Sequence, residues 1–292
     1  MMMIDHAKGK VNLTLDILGK RPDSYHELDM ILQSVELSDT IVFETTESGD
    51  PVSLVLTDGC EGIPAGDDNL IIKAAKALHP LASDPKPVRI ALEKNIPSGA
   101  GLGGGSADAA CTLRVLRGIW DCDISDSELL VLASKVGADV PFLINGGCCE
   151  CTGIGEKLDP IPGLEDVFLA VIKPGISLST ARIYGLFDEM KLPGRSDTKA
   201  CREALERNDT KEASKLLGNA LEEAAISLSP AIKQIKEMLL EDGALGSSMT
   251  GSGSAVYGIF YDKRKAFAAA RRISEEFKDL EIKTFLTAPA SV

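Results

Sequence analysis

The sequence predicts an α+β fold, and three observations carry the prediction. Strand-like segments crowd the first part of the chain, helical segments are interleaved with strands later, and a glycine-rich stretch joins one strand to one helix. A regular βαβ series would instead alternate the two from the start.

Residues 10–18 alternate cleanly: Val11, Leu13, Leu15 and Ile17 on one face, Lys10, Asn12, Thr14 and Asp16 on the other. Period two is the signature of a half-buried strand, and its polar face has the makings of a site. A polar loop follows at 19–27. Strands are expected at 29–37, 40–46, 52–57 and 88–93, with a helix at 68–79. A helix fits 106–118 and stops near Gly118. Ser125 and Glu128 form a capping box for the next helix, which ends at Gly137. Pro141 directs Val140 away from helical geometry. The prolines around 159–163 mark a joint, dividing the chain into domains 1–160 and 161–292. Beyond it come a strand at 167–172, helices at 179–190, 198–207, 210–225 and 230–242, a second glycine loop at 247–254, a strand at 255–261, a helix at 263–278 and a last strand at 280–286.

The stretch Pro97-Ser98-Gly99-Ala100-Gly101-Leu102-Gly103-Gly104-Gly105-Ser106 is the most informative in the chain. Glycine allows positive φ and close backbone approach. A helix starting just beyond it aims free N–H groups and its positive dipole end at the same spot. A phosphate chain is the guest such a loop suits. Gly99, Gly101 and Gly104 also spell G-x-G-x-x-G. That dinucleotide fingerprint belongs directly after a strand, with an acidic residue on the next strand; here several residues up to Ser98 intervene, and Asp121 and Asp123 follow a helix. A Walker loop needs a lysine that this loop lacks. A flexible linker rarely sits between a strand and a helix start.

Lys plus Arg number 31 and Asp plus Glu 44, for a net charge of −13. That balance repels nucleic acid and anionic lipid at long range. A phosphorylated ligand must then be held by local donors. No run approaches the roughly 18 apolar residues of a membrane span, and the N-terminus lacks the apolar core of a signal peptide, so a cytoplasmic location is expected. The seven cysteines are an odd number, as for reduced thiols. Cys148-Cys149-Glu150-Cys151 holds a C-x-x-C without the second ligand pair of a zinc site; buried thiols in a short strand are the plain expectation.

Several motifs together resemble the GHMP kinase superfamily. Its P-x-x-x-G-L-G-[SG]-S loop matches Pro97–Ser106. Within that superfamily the pattern is similar to the branch acting on cytidine diphosphate-linked methylerythritol in non-mevalonate isoprenoid synthesis. Gly9-Lys10-Val11-Asn12-Leu13 resembles A-K-[IVL]-N-L, and Arg21-Pro22-Asp23-Ser24-Tyr25-His26 resembles R-x-D-G-Y-H, with Gly9 and Ser24 as departures. Gly137-Ala138-Asp139-Val140-Pro141-Phe142, Gly153-Ile154-Gly155-Glu156, the segment from Pro174 to Tyr184, and Met249-Thr250-Gly251-Ser252-Gly253 complete the match.

The resemblance implies a two-domain GHMP kinase fold, with an N-terminal domain like domain 2 of ribosomal protein S5 and a ferredoxin-like C-terminal domain. It implies ATP and Mg²⁺ as cofactors. The ATP-binding residues would be Pro97, Ser98, Gly99, Ala100, Gly101, Leu102, Gly103, Gly104, Gly105 and Ser106. Asp139 would be the general base and Lys10 its partner. Tyr25 and Tyr184 would flank a cytosine that His26 reads, while Asn12 and Thr180 contact the substrate. The implied partners are ATP and the cytidine-linked substrate, with neither nucleic acid nor membrane, in a monomer or homodimer. Another GHMP small-molecule kinase, acting on homoserine, mevalonate or a sugar, would not need the Tyr25-His26 pair. A glycine-rich interaction protein would need neither Lys10 nor Asp139.

Overall fold

A computed structural model describes residues 1–191 and 196–291. In chain order the elements are β1 (Met2–Lys20), β2 (His26–Thr45), β3 (Val52–Leu56), α1 (Leu70–Leu78), β4 (Val88–Glu93), α2 (Gly104–Ile119), α3 (Asp126–Val136), α4 (Val140–Asn145), β5 (Cys148–Gly153) and β6 (Lys157–Pro160). There follow β7 (Phe168–Lys173), α5 (Thr180–Met190), α6 (Thr198–Glu206), α7 (Thr210–Lys215), β8 (Gly218–Asn219), α8 (Glu222–Leu228), α9 (Ala231–Glu241), β9 (Gly246–Met249), β10 (Val256–Phe260), α10 (Lys263–Glu276) and β11 (Lys283–Thr287).

Contacts divide the chain into two compact units that interleave in sequence. One comprises residues 1–9, 38–98 and 103–145; the other comprises 10–37, 99–102 and 146–292. No single cut near residue 160 separates them. The cause is the length of β1 and β2, at 19 and 20 residues, several times a mean strand. Each passes from one unit into the other.

In the first unit, β4 pairs antiparallel with the C-terminal part of β2 and parallel with β3. Helices α1 and α2 pack against each other, burying Ile71, Leu78, Leu113 and Leu116. Trp120 is fully buried, and its indole N–H donates to the Lys86 carbonyl at 2.8 Å. The Ser125–Glu128 capping box forms as expected.

In the second unit, β7 pairs with β10 and β11, and β10 with β9, all antiparallel. The N-terminal part of β2 pairs with β5, and β5 with β6. β1 pairs parallel with β8 at Thr14–Gly218.

Several sequence expectations are corrected. The strands at 29–37 and 40–46 are one strand, β2. Within it, Asp39 Oδ1 accepts the amides of Asn95 and Ile96 at 2.6 and 2.7 Å. Strand 10–18 is buried on both faces, since Lys10, Asn12, Thr14 and Asp16 are all buried too. The helix expected over 210–225 breaks into α7, β8 and α8, because Gly218 and Asn219 pair with β1. Val140 opens α4 rather than escaping helix; Pro141 falls in the first turn, where no donor is lost. The proline-rich joint begins as strand β6, with Pro160 opposite Cys149 at a sheet edge, where proline is tolerated.

All seven cysteines are buried, and none is in a disulfide. Burial pushes the Cys201 thiol up to about 12 and raises Cys148 as well, so these thiols are packing groups.

Candidate active site

The glycine loop runs from the first unit into the second and back. Gly99, Gly101 and Gly103 all adopt positive φ. At Gly101 the requirement is absolute: φ is +78°, and a Cβ there would stand 2.0 Å from the Thr250 carbonyl oxygen. α2 starts at Gly104, two residues earlier than the sequence predicts, so its first turn lies inside the loop. Its N-cap is Gly103, with no side chain bonded to the helix end. Ser106 therefore does not cap α2, and the first N–H donors are left for a ligand. Within the first unit, a Cβ on Gly137 would stand 3.8 Å from Ser106 Oγ. That places the Ser106 hydroxyl beside the turn that leads to Asp139. Asp139 itself is half-buried, immediately before α4.

Beneath the loop lies a charged cluster that the sequence reading passed over. Lys94 Nζ bonds Asp39 Oδ2 at 2.5 Å and Asp108 Oδ2 at 2.8 Å, all three side chains buried. A Cβ on Gly104 would be 3.1 Å from that ammonium. The ammonium thus lies just behind the start of α2, its charge balanced by the two aspartates. Burial opposes the Lys94 charge, but Asp108 and then Asp39 outweigh it and hold the group above its ordinary value. Burial, with the Asp39 charge adding and Lys94 opposing, pushes the Asp108 carboxyl up to about 7. Its Oδ1 has no hydrogen-bond partner. The signal was present: Lys94 continues the inward parity of Val88, Ile90 and Leu92. What the sequence could not give was the two aspartates that neutralise it.

In the second unit, the two glycine loops interlock around Asn12. Asn12 Oδ1 accepts from Lys10 Nζ at 2.7 Å, from the Gly251 amide at 2.9 Å and from Thr250 Oγ1 at 3.3 Å. Thr250 Oγ1, with one hydrogen to share between the two acceptors, also lies 3.1 Å from the Gly101 carbonyl. Tyr257 anchors the Asn12 carbonyl at 2.7 Å from its hydroxyl. With Oδ1 occupied, the Asn12 amide N–H₂ faces Met30 Sδ at 3.5 Å, a weak acceptor that a substrate oxygen can better. Lys10 is buried, and its backbone N–H donates to the Leu102 carbonyl, tying β1 to the loop. Thr180 is exposed at the start of α5, its hydroxyl 2.8 Å from Ser252 Oγ.

His26 opens β2. Its ring stacks on Tyr184 with centroids 4.9 Å apart and meets Phe187 edge-on at 6.4 Å. His26 Nε2 lies 2.8 Å from Asp188 Oδ1. Tyr25 extends to solvent, 61% exposed. The structure thus brings His26 to Tyr184 and leaves Tyr25 as the free aromatic. Lys10, Asn12, Tyr25, His26, Thr180 and Tyr184 lie in one unit, and Ser106 and Asp139 in the other. Asp188 was missed, although Tyr184, Phe187 and Asp188 share one helical face at i, i+3 and i+4.

Among the described residues, no three His, Cys, Asp or Glu side chains group so as to hold a metal ion, and no helix is long and apolar enough to cross a membrane.

Residues 69–147 match the GHMP kinases N terminal domain and residues 201–279 the GHMP kinases C terminal domain. The 4-diphosphocytidyl-2-C-methyl-D-erythritol kinase of Pelotomaculum thermopropionicum is 39% identical over 272 residues, covering 93% of this chain and 94% of the relative. A crystal structure of 4-(cytidine 5'-diphospho)-2C-methyl-D-erythritol kinase superposes with a TM-score of 0.78 at 33% identity, covering 99% of this chain and all of that one. A homoserine kinase from Cytophaga hutchinsonii shares the fold at 18% identity, with a TM-score of 0.73 and 97% and 95% of the two chains covered.

Proposed function

The chain belongs to the 4-diphosphocytidyl-2-C-methyl-D-erythritol kinase family of the GHMP kinases, and from that premise we propose how its residues divide the work. It is an ATP-dependent small-molecule kinase. The reaction we assign is phosphorylation of the 2-hydroxyl of 4-diphosphocytidyl-2-C-methyl-D-erythritol. The observation that carries the reading is the positive-φ glycine turn running into the open N-terminus of α2.

Phosphoryl transfer asks mainly for positioning and charge stabilisation. The backbone donors from Pro97 to Ser106 grip the triphosphate, helped by the helix end. The Asp139 carboxylate takes the proton from the substrate hydroxyl. The resulting oxygen attacks the γ-phosphorus, the bond to the β,γ-bridging oxygen breaks, and ADP leaves. Lys10, fixed by Asn12, supplies positive charge to the developing anion. The Asn12 amide and the Thr180 hydroxyl hold the methylerythritol part. Tyr25 and Tyr184 flank the cytosine, and His26 reads its edge.

Mg²⁺ is expected with ATP. Among the described residues no cage of side chains is formed for it; the Ser106 hydroxyl would be its protein ligand, the rest of its oxygens coming from the phosphates and water. When bound it neutralises phosphate charge. The thiols are buried and form no disulfide, which fits a reducing compartment, and we place the reaction in the cytoplasm.

The deciding experiment supplies ATP and the cytidine-linked substrate, follows ADP release, and identifies the product by phosphorus NMR. A new phosphomonoester on the erythritol is expected. Turnover of homoserine or mevalonate in its place would select another GHMP kinase.

A further inference from the structure

Asp188 takes no part in the chemistry proposed above, yet it grips the residue proposed to read the base. Its Oδ1 lies 2.8 Å from His26 Nε2, and its Oδ2 lies 2.6 Å from Lys20 Nζ. An ionised carboxylate only accepts hydrogen bonds. The hydrogen between Asp188 and His26 therefore sits on Nε2. The other ring nitrogen, Nδ1, takes no partner among the described residues. Tyr184 covers one face of the ring and Phe187 meets its edge. Hydrogen bonds from Lys20 and then His26 hold the Asp188 carboxyl below its ordinary value, so it stays an acceptor. Ring plane and tautomer are thus both set by one helical face.

The two pyrimidines differ where such a ring would touch them. Cytosine presents an amino donor at C4, whereas uracil presents a carbonyl acceptor there. A neutral ring with Nε2–H offers Nδ1 as an acceptor, matching the amino group and opposing the carbonyl. We propose that Asp188, oriented by Lys20, is a positioning residue that fixes the His26 tautomer and thereby selects a cytosine over a uracil base. The proposal rests on the reading that His26 faces the base.

Lys20 makes the proposal sharp. In Asp188→Asn, Lys20 keeps the amide oxygen for itself, which turns the amide N–H₂ toward His26. Nε2 must then accept, and the hydrogen moves to Nδ1. A donor now faces the base edge, and the preference reverses. Removing Lys20 as well frees the amide to turn back. A merely structural ion pair, with side chains 10% and 32% exposed, would do neither.

The test is a long-range proton–nitrogen NMR spectrum of the histidines, which number three, together with titrations of CMP and UMP. The wild type should show His26 protonated at Nε2 and bind CMP more tightly than UMP. Asp188→Asn should show the Nδ1–H tautomer, lose about tenfold in CMP affinity, as for one misplaced hydrogen bond, and lose none for UMP. KM for the cytidine substrate should rise while kcat and the KM for ATP hold. Asp188→Asn with Lys20→Met should recover both tautomer and CMP preference. Asp188→Ala, a second variant should the first not fold, should flatten the CMP-to-UMP ratio without inverting it. An unchanged tautomer and ratio in Asp188→Asn, beside a wild type that prefers CMP, would overturn this proposal alone. A wild type indifferent to the base would overturn the base-reading assignment and this proposal with it.

Discussion

At the scale of single residues, Asp139 and Asp108 show two fates for a carboxyl group near the same loop. Asp139 is half-buried at the head of α4 and is assigned to proton transfer. Asp139→Asn should lower kcat about 10²-fold or more, the usual cost of losing a general base. Single-turnover rates within twofold of wild type would remove it from that role. Asp108 is buried against Lys94, and the folded state raises its pKa from 3.8 to about 7. The folded chain therefore holds this proton more tightly than the unfolded one. The associated stability is fully present below pH 3.8 and is lost as pH rises toward 7. Asp108→Asn cannot ionise, so its Tm relative to wild type should be more favourable at pH 8 than at pH 4. Parallel melting curves across that range would show that Asp108 does not titrate as described. The motif that holds Asp139 was visible in the sequence. The setting of Asp108 was not, because it is made by Asp39 and Lys94, 69 and 14 residues away in the chain.

At the scale of elements, the glycine loop and the loop after β9 act as one device. Gly101 is pressed against the Thr250 carbonyl, and Thr250 in turn reaches Asn12 and Gly101. Gly101→Ala forces a Cβ into that contact at a φ that L residues avoid. It should cost about 1–3 kcal/mol of stability and weaken ATP binding together with it. Calorimetry showing ATP affinity and Tm both unaltered would mean that the two loops are not coupled. The sequence displayed both loops but not their engagement. Residues 101 and 250 are far apart in the chain, and no local propensity encodes which carbonyl a glycine will meet. The same limit explains the broken helix at 210–225: helical periodicity continues through it, but pairing of Gly218 and Asn219 with β1 prevails.

At the scale of the whole molecule, the interleaved units set what can be cut. The fragment 161–291 lacks Asn12 and Gln33. Asn12 accepts the Tyr257 hydroxyl on its carbonyl, and Gln33 Oε1 accepts the Leu164 amide. Losing these buried partners leaves polar groups unsatisfied, at about 1–3 kcal/mol each. Expressed alone, that fragment should lack the sharp near-ultraviolet signal and cooperative melt of the full chain. A fully cooperative transition would show that a boundary near residue 160 is physically sufficient. The net charge of −13 acts at this scale too. On the proposed reading ATP is gathered by local donors against an unfavourable field, which is the part assigned to the glycine loop and the end of α2.

By itself the sequence determined the α+β class, most strands and helices, the place of the glycine loop before a helix and the family, because periodicity, capping and glycine spacing are local properties. Only the tertiary structure decided that β1 and β2 run through both units, that Lys94 lies buried between two aspartates, and that His26 is held by Tyr184 and Asp188. Those features arise where distant segments meet. There burial and hydrogen-bond satisfaction outweigh the preferences of any short stretch of chain.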